Sequence, residues 1–210
     1  MLDDQLLWLI SSYNYKYNDN LKPLLGVEIQ TLDNPGWRVK IRLAESYSKD
    51  KHFQEIAFER TENDWIFCKI ENSFFIGACG IFNLAEVMES FINWIENDQI
   101  YIGKESCFHS QTQLDLDNLK WLSNWFNSHC DGDWEHMFGI NIETIDNSGW
   151  SVTIIIRETE LEDKIFKKIH IERSKKDWLE LEVEEGIFQG NCGNFNLIEL
   201  LQTFRIWAKE

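Results

Sequence analysis

Apolar and polar positions fall into blocks along this chain, and the order of blocks is legible before any composition is counted. Leu6, Leu9 and Tyr13 recur at spacings of three and four, which predicts an opening helix with one apolar stripe and Asp4 as its cap. Val27, Ile29 and Thr31 then alternate with polar residues as far as Asp33-Asn34-Pro35-Gly36. Beyond that turn Trp37, Val39 and Ile41 alternate with Arg38, Lys40 and Arg42. A period of two on both sides of Asx, Pro and Gly predicts a hairpin with one buried face. A second hairpin is expected over about 53–60 and 65–71, turning at Arg60–Asp64. A short fifth strand, Phe74–Ile76, is expected to end at Gly77. Asn83-Leu84-Ala85-Glu86 has capping-box spacing, with Phe82 and Val87 placed as a staple, and opens a closing helix striped by Leu84, Val87, Met88, Phe91, Trp94 and Ile95.

The whole series then repeats. Residues 4–97 align with 117–210 at a constant offset of 113, with 34 identities over 94 positions and no insertion. Leu119, Leu122 and Phe126 restate the first stripe, Trp150, Val152 and Ile154 the strand after the turn, and Asn196-Leu197-Ile198-Glu199 the cap. In the second copy Leu179, Leu181 and Val183 alternate with Glu180, Glu182 and Glu184, so one sheet face is wet. The fold class predicted is α+β: two tandem repeats, each a helix, a four- or five-stranded antiparallel meander and a helix, with the helices packed on one sheet face. The repeats are expected as domains 1–97 and 117–210, joined by an aperiodic linker at 98–116.

Composition narrows the partners. Ten Trp and 14 Phe suffice for a core in each repeat. The net charge of −16 divides into −6 for residues 1–97, −3 for 98–117 and −7 for 118–210, so both repeats are acidic. Phosphate binding needs a basic footprint, so nucleic acid and anionic membranes are disfavoured, and a basic protein is the natural partner. Five cysteines without a C-x-x-C pair suggest reduced thiols. The start lacks a signal-peptide pattern and no apolar run approaches the roughly 20 residues of a membrane span. A soluble cytoplasmic protein is expected.

Candidate chemistry lies where the copies differ. The second copy reads Cys130-Asp131-Gly132-Asp133-Trp134-Glu135-His136 where the first reads Tyr17-Asn18-Asp19-Asn20-Leu21-Lys22-Pro23. Three carboxylates, a thiol and an imidazole could hold a transition metal. A calcium loop fails, with Gly at position 2 and Ile142 at position 12. The same residues suit a protein contact, an aromatic centre flanked by carboxylates, or a cap on the first strand. Cys79 and Cys192, each in Gly-x-Cys-Gly before a helix, could be nucleophiles, but no His is shared between copies to serve as base. Trp65 and Trp178 share parity with the wetter face of their strand. No phosphate loop, G-x-S-x-G or H-E-x-x-H occurs.

The run Trp121-Leu122-x-x-Trp125-Phe126 … Cys130-Asp131-Gly132-Asp133-Trp134-Glu135-His136-x-x-Gly139 resembles the opening of the immunity protein 53 family of bacterial polymorphic toxin systems. Ile142 to Trp150, Phe188-x-Gly190, Asn196-Leu197-x-Glu199 and Phe204-x-x-Trp207 extend the likeness over the second copy. The first copy keeps the turn and the C-terminal half but departs in the Asp-Gly-Asp-Trp-Glu-His loop. The resemblance implies a small non-enzymatic protein that binds and neutralises a cognate toxin, without cofactor or metal. An acidic inhibitor would suit a basic toxin, such as a nuclease. Asp131, Asp133, Trp134, Glu135, His136 and Trp125 are the partner-binding candidates. Two rivals stand beside it: a small thiol- or metal-dependent enzyme, and a regulatory binding module unrelated to toxins.

Overall fold

A computed structural model describes residues 2–14, 24–45, 51–96, 117–145 and 149–210. The expected linker, the first copy's 17–23 loop and the turn at 146–148 lie outside these residues. In the first repeat α1 spans Leu2–Asn14, followed by β1 (Leu24–Leu32), β2 (Gly36–Leu43), β3 (Ile56–Thr61), β4 (Asp64–Glu71), β5 (Phe74–Gly80) and α2 (Leu84–Glu96). The second repeat has α3 (Asn118–His129), a single extra turn α4 (Trp134–Met137), β6 (Ile140–Ile145), β7 (Gly149–Ile155), β8 (Ile169–Ser174), β9 (Asp177–Glu184), β10 (Ile187–Gly193) and α5 (Leu197–Lys209). The α+β class and the repeated helix–strands–helix order are as the alternation predicts.

All ten strands belong to one antiparallel sheet, ordered β3-β4-β5-β2-β1-β6-β7-β10-β9-β8. Within each repeat the last strand returns to pair with the second: Gly36↔Gly80 through Arg42↔Phe74, and Gly149↔Gly193 through Ile155↔Ile187. The fifth strand is therefore longer than expected. Gly77 does not end it but sits mid-strand, where a Cβ would run into Val87 of α2. Gly190 has Leu200 of α5 over it in the same way. These glycines let the closing helix approach the sheet, which removes more apolar surface from water.

The inward face holds Val27, Ile29, Trp37, Val39, Ile41, Ile66 and Phe75 with their counterparts in the second repeat, all essentially inaccessible. The helices pack there. The capping box takes another form. Asn83 Nδ2 donates to Asp64 Oδ1 at 2.8 Å and reaches Glu86 Oε2 at 3.4 Å, while Arg60 bridges the same two carboxylates. Asn196, Asp177, Glu199 and Arg173 repeat the arrangement. Phe82 and Phe195 are 58% and 61% exposed, so the expected staple does not bury them.

The repeats meet by a two-fold-like exchange. β1 pairs with β6 at Glu28↔Glu143, Ile29↔Ile142 and Gln30↔Asn141. The Val27 amide donates to Thr144 Oγ1 at 3.0 Å, and the matching Ile140 amide donates to Thr31 Oγ1 at 2.9 Å. The helix starts cap each other too. Leu2 N donates to Asp117 Oδ2 (2.7 Å), and Asn118 N and Leu119 N donate to Asp3 (3.0 and 3.2 Å). Tyr13 stacks edge-on against Trp150, and Phe126 lies against Trp37. The strand pairing, the threonine bonds and the aromatic contacts each have a mate at the offset of 113, the pattern of an isologous interface held within one chain.

Candidate functional site

The loop that distinguishes the second repeat is built from inside outward. Asp117 caps α3 by accepting the Lys120 amide at 2.9 Å, and the helix runs to His129. Asp131 Oδ1 then accepts the amides of Asp133 (3.0 Å) and Trp134 (2.9 Å), which starts the single turn of α4. These two bonds hold the Asp131 carboxyl below its ordinary range. Glu135 folds back beneath the loop, 6% exposed, and accepts the amides of Asp131 and Gly132 at 3.0–3.1 Å. Gly132, at φ +101°, allows the reversal. The first repeat has Asn18, Asn20 and Lys22 in place of Asp131, Asp133 and Glu135.

Trp134 is the pin. Its indole N–H donates to the Arg157 carbonyl at 2.9 Å, and its ring meets Trp125, Phe126, His129 and Phe138 at centroid distances of 5.4–6.2 Å. It is 4% exposed and Trp125 6%. Trp125 Nε1 donates to Glu160 Oε1 at 3.2 Å, and His129 Nε2 lies 2.7 Å from Glu160 Oε2. Burial pushes the Glu160 carboxyl up, but its bonds from His129, its own backbone and Trp125 outweigh this and leave it lowered.

Of the six candidate residues, Trp125, Trp134 and Glu135 are therefore buried and shape the loop. Asp131, Asp133 and His136 face solvent. Met137, 60% exposed, joins them. A cleft of about 270 Å³ runs from Glu135, His136 and Met137 to Gln30, Thr31 and Asp33 of the first repeat. Pairing between the repeats creates it, and no sequence spacing announced it. Glu160, which locks Trp125, was also missed, because it lies in an aperiodic stretch 35 residues from its partner.

The other chemistries find poor ground. Among the described residues, no group of three or more His, Cys, Asp and Glu side chains is placed to hold a metal ion. Glu135 spends both oxygens, and Asp131 its Oδ1, on backbone amides. Cys79 and Cys192 sit within β5 and β10, fully buried, and desolvation raises both thiols, Cys192 to about 12. Burial, with Glu135 and Asp131 adding repulsion, pushes Cys130 to about 12 as well. No described helix is long and apolar enough to cross a membrane.

With this geometry in hand, the comparison with known families is decisive. The profile of immunity protein 53 matches residues 6–96 and again residues 119–209. The chain belongs to that family. It is an immunity protein of a toxin system, carrying the family unit twice, and the two matched stretches coincide with the two repeats. No match was found among curated proteins or among solved structures.

Proposed function

We propose that this immunity protein binds its cognate toxin in the cytoplasm and neutralises it by occlusion, with no chemistry of its own. Family membership of both repeats carries the reading. The second repeat's loop supports it: an aromatic cluster and a buried carboxylate fix the backbone, leaving Asp131, Asp133 and His136 exposed on a rigid base. Preorganised, charged contacts on a chain of net charge −16 suit a basic toxin domain, such as a nuclease, and raise the rate of encounter.

The test is co-expression with the product of the adjacent open reading frame in a sensitive host. Rescue with a salt-sensitive complex is the expected result. Combining Asp133→Ala and His136→Ala is expected to weaken the complex at least tenfold, that is by about 1.4 kcal/mol or more, with the melting temperature unchanged. Failure to rescue while both proteins are soluble would sink the pairing.

A further inference from the structure

The face of the sheet turned away from the helices carries two grids of side chains on the same backbone, and their chemistry is opposed. In the first repeat β2 presents Arg38, Lys40 and Arg42 on this face. Their partners on β5 are Ala78, Ile76 and Phe74, and those pair onward with Phe67, Lys69 and Glu71 of β4. The first grid thus has four cations, one carboxylate and an apolar middle column. The second repeat places Ser151, Thr153 and Ile155 on β7 and Asn191, Gln189 and Ile187 on β10. On β9 it places Glu180, Glu182 and Glu184. That grid has three carboxylates and no cation.

The fold does not require the cations, since Ser, Thr and Ile fill the same positions in the other repeat. Nor do carboxylates of the described residues pair with three of them. Arg60, Lys69, Lys168 and Arg173 each have a carboxylate within 2.8 Å. Among the described residues Arg38, Lys40 and Arg42 have none, although Glu28 faces Lys40 across the strand pair. Lys40 instead lies 4.7 Å over the Phe74 ring. Phe67, 38% exposed, stacks at 5.6 Å with Trp65, which widens the apolar part of the patch. Arginine and aromatic side chains beside one another are the composition of binding hot spots.

We propose that the β2–β5–β4 face of the first repeat is a second docking surface for the toxin, taking a segment that carries carboxylates between apolar side chains. This rests on the immunity reading and deepens it. The outer face of the sheet then carries two fields of opposite sign, five strand spacings (β2 to β9) or about 24 Å apart. The cations stand two residues apart, roughly 6.6–7 Å, which is the repeat of side chains along one face of an extended strand. Apolar residues between the charges, on a chain of net charge −16, favour a protein segment over a polyphosphate chain. Such a surface gives specificity as well as affinity, because a uniformly basic protein is repelled by it.

The test exchanges the first grid for the second's residues in the full chain: Arg38→Ser/Lys40→Thr/Arg42→Ile, with Lys40→Thr alone as a milder variant. Affinity for the product of the adjacent open reading frame, inactivated where it is toxic, is measured at two salt concentrations, with circular dichroism as the check on folding. Dissociation constants at least tenfold higher for the triple variant and several-fold higher for Lys40→Thr, at unchanged melting temperature, are expected. Binding within twofold of wild type overturns the surface. If the wild-type chain does not bind that toxin, the immunity reading fails by itself. The patch is then read with a dodecapeptide alternating Glu and Phe: binding that the triple variant loses sustains a carboxylate-reading surface, and equal binding or none overturns it. A thymidine dodecanucleotide binding more tightly than the peptide, and losing affinity in the triple variant, overturns the choice of a protein partner.

Discussion

Trp134 and Asp133 are neighbours in sequence with opposite duties. Trp134→Ala removes a ring packed against four others and frees the Arg157 carbonyl, and is expected to cost about 3–5 kcal/mol in urea unfolding. Asp133→Ala removes an exposed side chain that makes no cap bond, so stability stays within about 0.5 kcal/mol while toxin affinity falls. Glu135→Ala leaves the Asp131 and Gly132 amides without an acceptor, at about 1–3 kcal/mol, and Glu135→Gln restores part of the loss. A stability defect for Asp133→Ala as large as that for Trp134→Ala would refute this division. The residues of the loop were legible in the sequence because the copies differ there. Which of them point inward was not, since burial follows from Phe126, Phe138 and Arg157 converging on one ring.

Elements are joined by glycines and by the doubled Arg–Asp–Asn–Glu cluster. Gly77→Ala would force β5 and α2 apart and is expected to cost about 1–3 kcal/mol, measured by thermal unfolding. Gly132→Ala meets no neighbouring atom and suffers only from its positive φ. In the clusters, bonds from Asn83 and then Arg60 lower the Asp64 carboxyl, and the bonds from Arg60 lower Glu86. Asn196 and Arg173 do the same for Asp177 and Glu199. Carboxyls lowered by folding stabilise the native state above their unfolded values near 4, and that contribution is lost as pH falls through the lower folded values. The urea midpoint is therefore expected to fall between pH 5 and pH 2, and to fall less in Arg60→Met/Arg173→Met. An equal fall in both chains would show that the clusters do not carry the acid sensitivity. Asp64, Asn83 and their counterparts were readable as shared turn and cap residues. That the asparagine and an arginine would share the same two carboxylates was not, because it needs β3, β4 and α2 in contact.

For the whole molecule, one sheet and exchanged caps make the repeats mutually dependent. We propose that the two repeats unfold in a single transition, although each holds its own helices and strands. Thr31→Val/Thr144→Val leaves the Ile140 and Val27 amides unpaired at the seam and is expected to cost about 1–3 kcal/mol per site. Two separate calorimetric transitions in the wild-type chain would contradict this mutual dependence. The sequence by itself determined the duplication, the α+β class, the inward and outward parity of most strands and the family, because these follow from local periodicity and from comparison at a fixed offset. Only the tertiary structure decided that β5 returns to β2, that β1 pairs with β6, and that the open face holds a cationic grid on one side and an acidic one on the other. Those features join residues dozens to more than a hundred positions apart. Hydrophobic pattern says which face of a strand is wet, whereas strand order, and so the company each charge keeps, is settled by how helices and sheet bury their apolar faces together.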